Sequence, residues 1–272
     1  MVGKLIQIFK TKDLRRKIFF VLALLAVFRV AAVIPVPGID VSRLQSFFEG
    51  NKFFGLINVF SGGALDNLSI VMLGVGPYIT ALIIMQLLTM VFPQLKELYQ
   101  GEGEQGRQKF NQYTRLLTIP LAGLQGYGLL ALLQSQNVID RLDLFSLITN
   151  LTVIIAGTVF LMWIGEIISE KKIGNGISLL IFAGIIAAIP TQIRQFFLNF
   201  DPSMVPTAIV FLAVAVIVTA GVVFINDSQL NIPVSYAKRV RGSKVYGGTS
   251  TYLPLKVNQA GVIPIIFAIS IL

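Results

Sequence analysis

The chain has 272 residues, 55% of them hydrophobic and only 13% charged, where a soluble domain carries roughly a quarter. It has no cysteine and no histidine, which excludes disulfides, thiolate or imidazole metal sites, and nucleophilic mechanisms that need Cys, or His as base. The net charge of +9 points to nucleic acid, anionic lipid or membrane topology, and the positions of the charges decide among these.

The mean hydropathy of +0.79 comes from long continuous apolar runs, not from alternation. In a bilayer such runs are helices, because every backbone polar group must pair within its own segment. The expected fold is therefore an all-α polytopic membrane protein. Six complete apolar segments cover 18–34, 70–92, 116–133, 144–168, 177–189 and 205–225. A seventh begins at Val257 and is still apolar at Leu272. A span needs roughly 20 residues, so the seventh reads as cut off, and the fifth as continuing past Pro190 toward Phe200. The first run lacks a small-residue cleavage site and contains Arg29, so it reads as a retained span. Arg29 either snorkels to the outer interface or pairs inside the bundle.

With the N-terminus inside, the inner segments 1–17, 93–115, 166–176 and 226–256 hold six, four, two and five basic residues. The outer segments 35–69, 134–143 and 190–204 hold two, one and one. That bias places the N-terminus and the longest basic loop in the cytoplasm.

Four stretches exceed what a plain bundle needs. Segment 53–68 is apolar but interrupted by Ser61-Gly62-Gly63, Asp66 and Asn67. It reads as a short half-helix, either re-entrant beside a cavity or lying flat at the outer interface. It leads into a span bent by Gly74-Val75-Gly76-Pro77. Loop 93–115 has glycines at 101, 103 and 106, which predicts a flexible loop. No strand precedes it and no P-loop lysine follows, so a nucleotide site is not expected. Gly174-Asn175-Gly176 reads as a tight turn. In loop 226–256, the stretches 232–240 and 244–255 are rich in β-branched and aromatic residues around Arg241-Gly242-Ser243. They predict a β-hairpin whose tip gathers Lys238, Arg239, Arg241 and Lys244. Positive charge alone would hold this loop inside; a projecting basic finger further implies an acidic partner.

Six blocks carry a family resemblance: IPVPGID (34–40), NVFSGGALDNLSI (58–70), GVGPYITALIIMQLL (74–88), GEGEQGRQKFNQYTR (101–115), LMWIGEIISEKKIGNGISLLIFAGI (161–185) and IPVSYAKRVRGSKVYGGTSTYLPLKVNQAGVIPIIFA (232–268). In this order they resemble the bacterial SecY family of protein-conducting channels. The resemblance implies two inverted five-span halves around an hourglass pore. Residues 1–200 would form the first half, with a plug at 53–68. Residues 201–272 would start the second half: span 6, the loop 226–256 and a truncated span 7.

The resemblance also implies roles. Phe60, Ser61, Gly62, Gly63, Ala64 and Leu65 match the plug. Val75, Ile79, Ile181 and Ile266 match an aliphatic pore ring, and flexible apolar side chains can dewet and seal against ions. Thr80, Gln86 and Asn258 match a polar seam at the lateral gate, where each hydrogen bond contributes about 0.6 kcal/mol. Lys238, Arg239, Arg241 and Lys244, with Arg107 and Lys109, match a surface that docks the SecA motor or the ribosome, the latter through rRNA phosphates. Implied partners also include SecE and SecG subunits, signal sequences, nascent polypeptides and lipid. No cofactor and no chemistry of its own are implied. Three departures stand out from the family pattern: Gly76 before the proline, Val75 where isoleucine is usual, and 226–231 without an acidic-plus-arginine run. They imply a sharper bend in span 2, a looser seal and weaker ribosome docking. A secondary transporter also has broken helices, but it places polar coordinating groups at the break. An intramembrane protease needs a catalytic constellation that the spans lack.

Overall fold

The computed structural model describes residues 11–37, 63–65, 68–136, 138–198, 205–234, 239–241, 244–246 and 251–258. The chain divides into two units, 1–195 and 196–272.

The first unit begins with α1 (Lys12–Ala31). Asp13 sits in its first turn, where a helix favours negative charge, and pairs with Lys17 at 3.1 Å. Only Val21, Phe28 and Ala31 are buried, so α1 meets protein along one narrow stripe. Phe19, Leu22, Val27 and Val30 stay exposed.

Beyond α1 the backbone leaves the helix, and each exposed polar group must find a partner. It does so by pairing two distant segments. The Val36 amide donates to the Leu68 carbonyl at 2.8 Å, and the Ile70 amide donates to the Ile34 carbonyl at 2.9 Å. This short bridge forms a neck. From Ser69 to Gly76 the chain advances by successive three-residue turns, with Gly74 at φ +57°.

Helix α2 (Gly76–Val91) therefore starts six residues later than the apolar run at 70 suggests. Its 16 residues cover about 24 Å, less than a bilayer core, and the turns supply the remainder. Pro93 forces Phe92 into extended backbone, and α3 (Pro93–Gln100) leaves α2 at 113°.

The flexible loop expected at 93–115 is not observed. α3 fills its first part, and α4 (Gly103–Ser135) begins inside the glycine run. Gly103 takes φ +62° at the reversal. A side chain on Gly106 would fall on the Leu98 carbonyl, so this glycine lets α3 and α4 touch. Tyr99 and Phe110 then meet at 4.7 Å. Close contact outweighs the low helix propensity of glycine here. At 33 residues, or about 50 Å, α4 extends some 20 Å beyond the apolar segment that starts at Leu116.

The buried residues of α4 recur every four positions: Gly106, Phe110, Thr114, Thr118, Ala122, Gly126 and Leu130. A four-residue step on a 3.6-residue helix rotates the contact stripe by about 40° each time. The stripe thus winds from α3 toward α5 (Leu144–Glu170). Small residues fill it, as close packing in lipid demands. Helix α6 (Gly176–Leu198) continues through Pro190. Gly176 packs on the Gly165 carbonyl of α5, with no room for a Cβ.

The second unit holds α7 (Val205–Asp227), with mean hydropathy 3.0 and no buried residue, followed by a β-ribbon. Strands β1 (Gln229–Val234) and β4 (Thr251–Lys256) pair antiparallel, as do β2 (Arg239–Arg241) and β3 (Lys244–Tyr246). One register runs through both ladders, from Gln229↔Lys256 to Arg241↔Lys244. The hairpin is thus longer than 232–255, and Arg241 belongs to a strand instead of the turn. Val257 ends the ribbon, its amide bonded to the Ser228 carbonyl, and the seventh apolar run beyond Asn258 lies outside the described residues. Among the described residues, α4, α5, α6 and α7 are each long and apolar enough to cross a membrane, α1 does not meet that measure, and α2 with α3 meets it only as a pair bent by 113°, a broken span or a re-entrant loop.

Candidate functional site

Val75 closes the turn at the start of α2, and Ile79 lies one helical turn on, its amide bonded to the Val75 carbonyl at 3.1 Å. Ile181 approaches from α6. Its position is set by the α5–α6 turn. The Ser169 hydroxyl donates to the Gly165 carbonyl at 2.9 Å and accepts from the Gly176 amide at 2.8 Å. The Asn175 side chain accepts from the Ser178 amide at 3.1 Å, capping α6. So Gly174-Asn175-Gly176 is more than a turn: it fixes how closely α6 lies on α5. Val75, Ile79 and Ile181 join one cluster with Ala64, Val71, Leu161, Ile164 and Leu180. Every member is apolar, and among the described residues no acidic group can hold a metal ion there. Ile266 lies outside the described residues.

Of the plug candidates, Phe60, Ser61 and Gly62 lie outside the described residues. Gly63 takes φ +77°, which favours glycine. Ala64 and Leu65 are buried in different clusters. Ala64 packs with the constriction, whereas Leu65 packs with Leu68, Leu130, Leu133 and Ile154.

The polar residues of α2 have different partners. The Thr80 hydroxyl donates to the Gly76 carbonyl at 3.1 Å and accepts from Gln125 Nε2 of α4 at 3.4 Å. Gln86 lies six residues on, about 120° around the helix from Thr80, and is half-buried. Its backbone carbonyl accepts from the Thr89 hydroxyl at 2.6 Å. Asn258, in the other unit, donates to Asn226 Oδ1 at 2.9 Å across the base of the ribbon.

Lys238 lies outside the described residues. Register places Arg239, Arg241, Lys244 and Tyr246 at positions on one face of the ribbon, with Arg241 and Lys244 directly opposed. In the first unit Arg107 is exposed on α4, and Lys109 pairs with Glu102 at 3.7 Å. Two residues apart on a helix, Arg107 and Lys109 face roughly opposite ways.

Two contacts escaped the sequence reading. Arg115 of α4 and Glu166 of α5 form an ion pair at 2.5 Å, with Glu166 only 20% exposed. Lys171 lies 5.0 Å above the Phe20 ring, joining the end of α5 to the basic start of α1. The available signal was a charge at the same end of each apolar run.

Fold and site together define a multi-pass helical membrane protein with a packed apolar cluster beside a turn-built neck. The SecY family model matches residues 69–272, and the chain belongs to the SecY family. It is 48% identical to the protein translocase subunit SecY of Corynebacterium glutamicum over all of this chain, which spans 64% of that relative. It is 47% identical to the SecY subunit of Mycobacterium tuberculosis H37Rv, again over all of this chain and 64% of the relative. A solved protein-conducting channel superposes with a TM-score of 0.60 at 21% identity, over 94% of this chain and 56% of its own. Sec61 from the canine ribosome-channel complex of the endoplasmic reticulum gives 0.60 at 20% identity, over 94% and 56%.

Proposed function

We propose that this chain lines the pore of a protein-conducting channel. Unfolded polypeptides cross through it, and transmembrane segments leave it sideways into lipid. The carrying observation is the cluster that joins Val75, Ile79 and Ile181 to Ala64. Aliphatic side chains offer no hydrogen bond to water or ions, so they seal a narrow passage by dewetting. They also yield to any incoming side chain, which suits a substrate defined by being unfolded. Ile266 would complete the ring, and Ala64 with its preceding residues would stopper it.

The protein would reside in the bacterial inner membrane with its N-terminus in the cytoplasm. The concentration of basic residues at one side of the spans supports this. No step requires a catalytic group: the work would come from SecA or the ribosome. Register supports a docking role for the ribbon, since Arg241 opposite Lys244 is a like-charge pair that an anionic surface would relieve. SecE and SecG would complete the assembly. Thr80, Gln86 and Asn258 remain assigned to the lateral gate, with Gln125 added as the partner of Thr80.

The test is to replace Ile79, Ile181 and Ile266 by serine in the complete protein and measure ion conductance in planar bilayers. Resting conductance should rise. Conductance equal to the parent would refute the ring.

A further inference from the structure

Three polar side-chain atoms, Ser69 Oγ, Asn150 Nδ2 and Thr158 Oγ1, are buried with no hydrogen-bond partner among the described residues. Each residue is at most 1% exposed. Ser69 and Thr158 are the chain neighbours of one contact, the Ile70 carbonyl against Gly157, where the 68–72 turn lies along α5. Ile154 shares a cluster with Leu68 and Met72, Gly157 meets the Ile70 carbonyl, and Leu161 shares a cluster with Val71. Thr158 adjoins Gly157, and Asn150 is one turn beyond Ile154 on the same buried face.

The unmade bonds are specific to this contact. The Ser69 amide donates to Ala64 and its carbonyl accepts from Met72, while its hydroxyl makes neither kind of bond. Thr149 and Thr152 on the same helix donate to the carbonyl one turn back, as do Thr114 and Thr118 on α4. Thr158 does not. A buried polar group without a partner weakens the state that buries it. The rest of the neck is held by the backbone bonds of Val36, Leu68, Ser69, Ile70 and Met72 and by apolar side chains in two clusters.

We propose that the seat of the neck on α5 is a release device. Ser69, Asn150 and Thr158 lose their hydration when the 68–72 turn is seated, and regain it when the turn lifts. They offset part of the packing that holds the turn down, so a modest load frees it. The proposal rests on the plug reading above, because a neck that must move is of use only beneath a movable stopper.

These 272 residues hold no cysteine, so once any thiol elsewhere in the complete protein is replaced by serine, Met72→Cys reports lifting of the turn through thiol labelling. Met72 is fully buried when the turn is seated. In the complete protein, Ser69→Ala, Thr158→Val and Asn150→Leu should each slow labelling of Met72→Cys by about tenfold, the scale of one unmade buried hydrogen bond. Each should also raise the thermal midpoint. Unchanged or faster labelling, or a lower midpoint, overturns the proposal, since hydroxyls that hold buried water would be missed. Ion conductance of the same proteins separates the two claims. Slower labelling in a protein that never conducts, even once the turn has lifted, sinks the channel reading and leaves the seat standing.

Discussion

Gly157 should be the least tolerant glycine of α5 toward even one methyl group. A Cβ at this position would fall on the Ile70 carbonyl carbon and oxygen and come within 3.3 Å of Val71 Cγ1. Backbone cannot rotate aside as a side chain can, so Gly157→Ala must push the 68–72 turn off α5. The turn resists, because the Ile70 amide is bonded to Ile34 and the Leu68 carbonyl to Val36. Overpacking of this kind costs about 1–3 kcal/mol. A lost neck hydrogen bond adds about 1 kcal/mol. The sum, about 2–4 kcal/mol, exceeds the ~1 kcal/mol of helix propensity gained by replacing glycine with alanine. Gly128 supplies the control, since nothing lies within 4 Å of its added Cβ. Thermal unfolding in detergent should show a lower midpoint for Gly157→Ala and an equal or higher one for Gly128→Ala. Equal behaviour of the two variants would refute the placement of the neck on α5.

Two further outcomes follow from charge. Lys244→Glu turns the like-charge pair opposite Arg241 into an attractive one, worth roughly 0.2–1 kcal/mol to the ribbon; protease resistance of the loop should rise while co-sedimentation with ribosomes or SecA falls, and a parallel rise or fall of both would count against a docking role. Arg115→Ala should destabilise the protein by about 2–3 kcal/mol, because it leaves the largely buried Glu166 carboxylate without its partner; adding Glu166→Gln should recover most of the loss in thermal unfolding, and strictly additive losses would show that the pair is not coupled.

Much of the fold is legible in the sequence because lipid is an undemanding solvent to read. Apolar length alone marks α4, α5, α6 and α7, and β-branched patterning with basic residues marks the ribbon. What composition does not carry is where backbone touches backbone. The glycines at 101, 103 and 106 read as flexible because glycine lowers helix propensity, yet Gly106 is the point where α3 and α4 meet. Gly176 read as turn chemistry, and its use is contact with Gly165. The apolar run from Ile70 read as helix because hydropathy does not distinguish a helix from linked turns in a buried setting. Only the pairing of Ile34 and Val36 with Leu68 and Ile70, some thirty residues apart, makes those turns affordable at that depth. The ring candidates Val75, Ile79 and Ile181 were accessible through the resemblance, whereas Arg115 with Glu166 and Gln125 with Thr80 depend on a helix-to-helix register that sequence spacing does not reveal.

The constriction is asymmetric in how its walls are mounted. Ile181 sits on α6, which is tied to α5 by glycine-to-glycine contact, by the Ser169 hydroxyl and by a capped first turn. Val75 and Ile79 sit beyond a run of three-residue turns and meet α5 through apolar side chains, with no backbone hydrogen bond to it among the described residues. Regular helices joined by backbone contact move together, whereas linked turns with sparse hydrogen bonds open at lower cost. On the pore reading proposed above, widening would fall to the Val75 side, with α5 and α6 as the steadier wall. Because Ala64 and Val71 share a cluster with Val75, displacing Ala64 removes packing from the same wall that has to move. On the same reading, loss of the stopper and loosening of the ring would be one mechanical event, coupled through the packing that Ala64 and Val71 share with Val75.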